Sequence, residues 1–156
     1  MGEIGNFQKN LGGGEAEVGR FKGFLVALGV VGTKESVPAV RSCLGDEEVV
    51  VRVEAAHALG LIARTVRAAG GATDGATVLA TDGEAGVDGC EDLVHIAAHA
   101  KSDDELRAAL WALAQLDTRD AWSALRAVVA DDKRTDLARR TAAEYLARPR
   151  VSLVLE

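Results

Sequence analysis

Two histidines and a glutamate have the spacing of metal ligands on a helix. His95 and His99 are four residues apart, and Glu91 lies one turn before His95, so a helix would place all three side chains on one face. Imidazole nitrogens and carboxylate oxygens are common ligands of zinc and other transition metals. The HExxH motif is absent, and the sequence offers no evident fourth ligand. We expect structural or surface histidines here, with a metal site as the alternative.

Four acidic residues in a glycine-rich stretch, residues 70–89, suggest calcium chemistry. They are Asp74, Asp82, Glu84 and Asp88. Carboxylates hold calcium when a closed loop offers them at fixed offsets, and the EF-hand spacing is absent. The stretch is also longer than an ordinary turn between helices. We expect a mobile, solvated insertion, with a partner-binding loop as the alternative.

The motifs of several common enzyme classes are missing from the sequence. It contains no G-x-S-x-G nucleophile elbow, no phosphate-binding P-loop and no G-x-G-x-x-G motif. Together with the incomplete metal and calcium patterns, this predicts a chain that is not an enzyme and uses no cofactor.

Charge restricts the possible partners. The 156 residues carry a formal net charge of -6, which gives no overall attraction to nucleic acid or to an anionic membrane. A basic cluster near the C-terminus offers the alternative of nucleic-acid binding, but four acidic side chains interrupt it. The cluster consists of Lys133, Arg134, Arg139, Arg140, Arg148 and Arg150. We expect a solvated helix face there and regard nucleic acid as an unlikely partner.

The apolar segments and the cysteines indicate a cytoplasmic protein. The longest apolar run, residues 23–32, is about half the length of a membrane span. No basic region followed by an apolar segment is present at the N-terminus. The two cysteines, Cys43 and Cys90, do not form a CxxC pair, and we expect both to be reduced.

An internal repeat organises the chain. Residues 33–41 resemble residues 118–126, and residues 52–60 resemble residues 139–147. Each copy is predicted to form two helices, a first helix and a second helix, because apolar residues recur at helical spacing. A leucine near the end of each second helix marks four copies, and these leucines are Leu28, Leu59, Leu113 and Leu146. The interval between the second and third markers is longer than the other two, because residues 70–89 separate the second copy from the third.

The sequence around the second copy resembles HEAT repeats. Pro38, Asp46 and Arg52 hold the family spacing of a proline, an aspartate eight residues later and an arginine six beyond that. The ending Ala-Ala-x-Ala-Leu-Gly at residues 55–60 is similar to the short variant found in phycobilin lyases. The resemblance implies an all-α solenoid, an α-α superhelix of about four helical hairpins, whose second helices line a concave surface.

The resemblance also suggests residue roles. It implies that Asp46, Arg52 and Arg139 belong to a buried ladder that joins neighbouring repeats. One iron enzyme of this family, deoxyhypusine hydroxylase, has a histidine where this chain has Val53, so we do not expect its metal centre. A lyase-like or metal-dependent accessory role remains the enzyme-class alternative.

The leading prediction is a scaffold or interaction module that binds a protein partner on the concave face. The expected partner-binding residues are Glu54, His57, Arg64 and Trp111, although core packing is the more ordinary role for a tryptophan. We predict a flexible arm over residues 1–16, the repeat domain over 17–148 and an apolar tail over 149–156. The tail would cap the solenoid or pair with another chain, and the protein would be a monomer or a homodimer.

Overall fold

The protein is all-helical in the computed structural model, which describes residues 15–70 and 87–148. These residues form seven α-helices, one short 3-10 turn and no strand. The helices are α1 (Glu15–Val31), α2 (Val37–Cys43), α3 (Val49–Gly70), α4 (Cys90–His99), α5 (Asp103–Leu116), α6 (Arg119–Ala130) and α7 (Asp136–Ala147), with the 3-10 turn Lys34–Ser36 before α2. The prediction of an all-α chain is confirmed.

Helix caps in the sequence determine where these helices begin. The side chains of Ser102, Thr118 and Thr135 each accept a hydrogen bond from the backbone N–H three residues later, at 3.1–3.2 Å. These bonds satisfy amide donors that have no partner inside the helix. Pro38 lies in the first turn of α2, where its missing N–H costs no hydrogen bond.

The helices pack in two rows. The second-helix row consists of α1, α3, α5 and α7, and each of its members packs on the next. The first-helix row consists of α2, α4 and α6, which pack on α3, α5 and α7 respectively. Each hairpin therefore buries its apolar face against its own partner and against the neighbouring hairpin.

The marker leucines show how neighbours complete the core. Leu59 and Leu113, in the two central second helices, are fully buried. Leu28 and Leu146, in the terminal second helices, are only partly buried. The difference follows from position, because among the helices that the structure describes α1 and α7 each have a neighbour in the row on one side only.

One buried ion pair joins the hairpins on either side of the insertion. The Arg52 Nε on α3 donates to the Glu105 Oε1 on α5 at 2.5 Å, and the two residues are only 8% and 2% exposed. Arg52 also donates to the backbone carbonyls of Asp46 and Glu47, which lie just before α3. Glu105 accepts a second hydrogen bond from the Lys101 N–H at 2.7 Å. The pair thus ties the start of α3 to the start of α5.

The expected ladder is reduced to this single pair. Arg52 is buried and joins two repeats as predicted, but its acidic partner is Glu105, and it contacts only the carbonyl of Asp46. The Asp46 carboxylate instead accepts a hydrogen bond from the Glu48 N–H. Arg139 is exposed, and its Nε reaches only the Val129 carbonyl at 3.4 Å. The buried role predicted for Arg139 is wrong, because α7 ends the described row and no later helix there offers a buried acid.

The described helices begin close to the predicted start of the repeat domain. The helix α1 begins at Glu15, and residues 1–14 of the predicted arm lie outside the described residues. The insertion is flanked by Gly70, the last residue of α3, and by Val87, which is buried. Asp74, Asp82 and Glu84 lie outside the described residues, as does the predicted tail from residue 149.

We predict that Arg52→Met lowers the free energy of unfolding by about 3–5 kcal/mol, because it leaves the Glu105 carboxylate buried without its cation. Chemical denaturation followed by circular dichroism measures the change. Arg139→Met makes the same substitution at the exposed position and should change stability by no more than about 0.5 kcal/mol. Equal effects of the two substitutions would contradict the role assigned to Arg52.

A second prediction concerns acid. Burial raises the pKa of the Glu105 carboxyl, but the hydrogen bonds from Arg52 and the Lys101 N–H outweigh burial and hold this pKa below its usual 4.5. As pH falls, Glu105 is therefore protonated first in the unfolded chain. Its contribution to the free energy of unfolding is present above about pH 4.5 and is lost as pH falls through its lower pKa in the folded protein. Unfolding curves measured between pH 6 and pH 3 should show a shallower loss of stability for Glu105→Gln than for the unchanged chain. Parallel losses would refute this assignment.

Candidate partner-binding face

The exposed side of the second-helix row carries the residues predicted to bind a partner. His57 and Arg64 are exposed on α3, and Trp111 is partly buried on α5. On α3 these positions follow helical spacing, which places them along one side of the helix. We call the surface formed by His57, Arg64, Arg107 and Trp111 the Trp111 face.

An aromatic pair lies at the centre of the Trp111 face. The rings of His57 and Trp111 meet edge to face, with centroids 5.5 Å apart and an interplanar angle of 82°. This arrangement is favoured by the quadrupole of the indole ring. The structure therefore brings together two predicted residues that are 54 positions apart in the sequence.

A glycine on α3 determines where the Trp111 ring lies. A Cβ added at Gly60 would stand 2.5 Å from the Trp111 Cζ3 and 3.2 Å from the Ala112 Cα. Only the absence of a side chain allows the indole and the backbone of α5 to come this close. The Trp111 ring therefore lies against α3 at Gly60, and the residue is only partly buried.

Glu54, the fourth predicted residue, has a structural partner. Its carboxylate lies 3.1 Å from the Lys22 Nζ on α1, and its side chain is only 15% exposed. The pair bridges α1 and α3 at the edge of the Trp111 face. Glu54 thus joins neighbouring helices of the row, and less of its charge is offered to a partner than we expected.

Cations surround the aromatic pair. Arg107 is exposed and lies one turn before Trp111 on α5, while Arg64 lies one turn after Gly60 on α3. Within residues 15–70 and 87–148, neither arginine forms an ion pair. At the neighbouring α7, the Arg148 guanidinium stacks over the Tyr145 ring at 4.9 Å. The face therefore combines exposed guanidinium groups with partly exposed aromatic rings.

The histidine pair lies in the other row. The rings of His95 and His99 are 4.4 Å apart between centroids, and the His99 Nδ1 is 2.9 Å from the His95 carbonyl oxygen. Glu91 is exposed on the same helix, α4. Among the residues that the structure describes, no group of three or more histidine, cysteine and acidic side chains is placed to hold a metal ion.

The two cysteines are placed as weak nucleophiles. Burial raises the pKa of the Cys43 thiol. Burial, together with the charges of Asp120, Glu91 and Asp88, raises the pKa of Cys90 to about 11. The reactive form of cysteine is the thiolate, so both side chains are protonated and poorly reactive at neutral pH.

Two polar clusters were missed by sequence reasoning. Arg41 on α2 donates a hydrogen bond from Nε to the Asp92 carboxylate at 2.7 Å and another from Nη1 to the Asp88 carboxylate. These bonds fix the chain just after the insertion, beside an open depression of about 550 Å³. No repeat position marks this cluster, because the partners are about 50 residues apart and belong to different hairpins.

The second cluster joins three helices around Asp117. Asp117 has a left-handed backbone, with φ of 53°, and its carboxylate accepts a hydrogen bond from the Trp122 indole at 2.6 Å. Arg67 on α3 lies 3.3 Å from the same carboxylate and donates to the Gln115 carbonyl. The cluster therefore holds α3, α5 and α6 together at the turn after α5.

Comparison of the chain with protein-family models, with curated proteins and with solved structures finds no match. None of the described helices is long and apolar enough to cross a membrane.

We predict that Gly60→Ala displaces the Trp111 ring, because the new methyl group and the indole cannot occupy the same space. In a Trp122→Phe background Trp111 is the only tryptophan, so its fluorescence should shift to longer wavelength as the ring becomes more exposed. The domain should also lose about 1–3 kcal/mol of stability from overpacking. Gly45→Ala is the control, because a Cβ there meets open space. An unchanged emission spectrum for Gly60→Ala would refute this account of the site.

Proposed function

We propose that this chain is a non-enzymatic interaction module, a HEAT-like helical solenoid that binds a protein partner on the side of its second helices. The two-row packing supports this proposal, since each second helix lies on the next along the row. Solenoids of this architecture expose an extended surface built from equivalent helices, and they commonly use it for binding. We include a cytoplasmic location in the proposal, supported by two free cysteines.

The observation that carries the proposal is the His57–Trp111 pair on the Trp111 face. Tryptophan and arginine are the residue types most enriched among those that dominate binding energy. Here an indole is held in one orientation by a glycine, and Arg64 and Arg107 lie beside it without an ion pair among the described residues. A partner that covers the ring would bury apolar surface without first ordering the tryptophan.

Nucleic acid is less well supported as the partner. Of the C-terminal basic cluster, Arg134 is held by the Asp131 carboxylate and the Ala97 carbonyl. The five remaining cations of the cluster are fewer than the six to ten phosphate contacts of a typical nucleic-acid footprint. A binding reaction that weakens steeply between about 50 and 200 mM salt would support that alternative.

The test is affinity capture from a lysate of the source organism, comparing three forms of the chain. The unchanged chain should recover one stoichiometric protein, and the double substitution His57→Ala and Arg64→Glu should lower its affinity about tenfold or more. Both positions are exposed, so the fold should be retained, which circular dichroism and chemical denaturation will check.

Arg126→Glu is the matched control. It makes the same charge reversal at an exposed position of α6, in the first-helix row, and it should leave the affinity unchanged. Recovery of the protein by all three forms alike would place its binding elsewhere on the molecule. Recovery of no stoichiometric protein at several salt concentrations would count against the proposed function.

A further inference from the structure

The helix α1 exposes an apolar surface at one end of the second-helix row. Phe24 is 54% exposed, Val26 46%, Val30 67% and Val31 74%. Single exposed apolar residues are ordinary, whereas a contiguous patch marks an interaction site. Arg20 and Lys22 are the charged residues exposed between positions 18 and 31, and Lys22 is already paired with Glu54.

The other end of the row is finished differently. The helix α7 exposes Arg139, Arg140 and Glu144, so its outer surface is charged. The outer surfaces of the first and last described helices of the row thus differ, since that of α7 is charged and that of α1 is apolar. A charged α7 is also a poor surface for the apolar α1 of another copy, which disfavours head-to-tail stacking.

The α1 surface has a groove beside a ridge. On one side of the helix a Cβ added at Gly19 or Gly23 would meet open space, and these glycines fall in line with two valines. The groove side is formed by Gly19, Gly23, Val26 and Val30. On the other side Phe24 and Val31, seven residues apart, form the ridge. A two-fold axis across the helix would place the ridge of each copy in the groove of the other.

We propose that two copies of this chain associate through α1, antiparallel and related by a two-fold axis. Four side chains exposed to this extent present on the order of 400 Å² of apolar surface per copy. Burying that surface on both copies, together with the glycines and Ala27, gives about 1,000 Å², the low end for a specific interface. The dimer is therefore weak, and its formation depends on concentration. This inference does not rest on the proposed function.

Sedimentation equilibrium of the full chain, from about 1 to 200 µM, tests the proposal. The mass should rise with concentration from 16.3 kDa towards twice that value. Phe24→Lys removes the ridge and Gly23→Leu fills the groove, so each should weaken association about tenfold or more. Val94→Lys is the control, since Val94 is also an exposed valine, 40% exposed on α4, and should leave association unchanged.

Two results would overturn the proposal. One is a chain that remains a monomer at every concentration, and the other is a dimer that persists in both α1 variants. The free energy of unfolding of the monomer then distinguishes two other ways of covering the α1 surface, by residues of the same chain or by a different protein. If other residues of the same chain cover α1, Val30→Lys will destabilise the monomer. If the surface awaits a different protein, the monomer will keep its stability and Phe24→Lys will abolish capture of that protein.

Discussion

The buried pair of Arg52 and Glu105 is the interaction on which the arrangement of the helices most depends. It spans 53 residues of sequence and joins α3 to α5, so it connects the two hairpins that the insertion separates. Two buried charges are costly unless they are paired and hydrogen-bonded. Arg52 meets this condition through two backbone carbonyls, and Glu105 meets it through the Lys101 amide. Each side chain therefore forms hydrogen bonds with the backbone near the start of its own helix and with the other side chain. These bonds fix the position of α3 relative to α5.

That fixed position determines what the surface can present. With α3 and α5 held together at their starts, small residues govern how closely they approach further along. Ala108 and Ala112 on α5 are almost fully buried, and Gly60 on α3 leaves space for Trp111 and for the backbone at Ala112. Where the two helices approach closely, the Trp111 indole lies against Gly60 and is only partly buried. The position of Trp111 is thus a consequence of small residues between the helices, in a chain with few aromatic residues.

The sequence predicts the helices well because local signals agree with one another. Helical spacing of apolar residues, the internal repeat and the marker leucines all indicate the same elements, and the structure contains helices there. The burial of Arg52 also follows from its repeat position. The partner of Arg52 is Glu105, which follows Ser102 by three residues in a capping pattern. That pattern identifies a helix start, but it does not indicate which arginine reaches the glutamate.

The predictions from the repeat are wrong where the copies are not structurally equivalent. Arg139 occupies the position of Arg52, yet α7 is the last helix of the described row, so the residue is exposed. The Arg41 and Asp117 clusters have no counterpart at other repeats and depend on contacts between distant parts of the chain. The repeat pattern predicts the features that the copies share. It does not predict the contacts that depend on the position of one copy in the row.

The insertion shows how a repeat array tolerates such an interruption. Although residues 71–86 separate α3 from α4, α3 and α5 still pack directly on each other. The chain is held in place just before α4, because Asp88 pairs with Arg41 and Val87 is buried. Gly89, the residue just before α4, has a φ of 138°. A Cβ added there would stand 2.6 Å from the Leu59 Cδ2. A side chain at this position would be strained by the backbone and would collide with a core leucine. The start of α4 is therefore constrained by its backbone and by its packing on Leu59, while the buried ion pair holds α3 against α5.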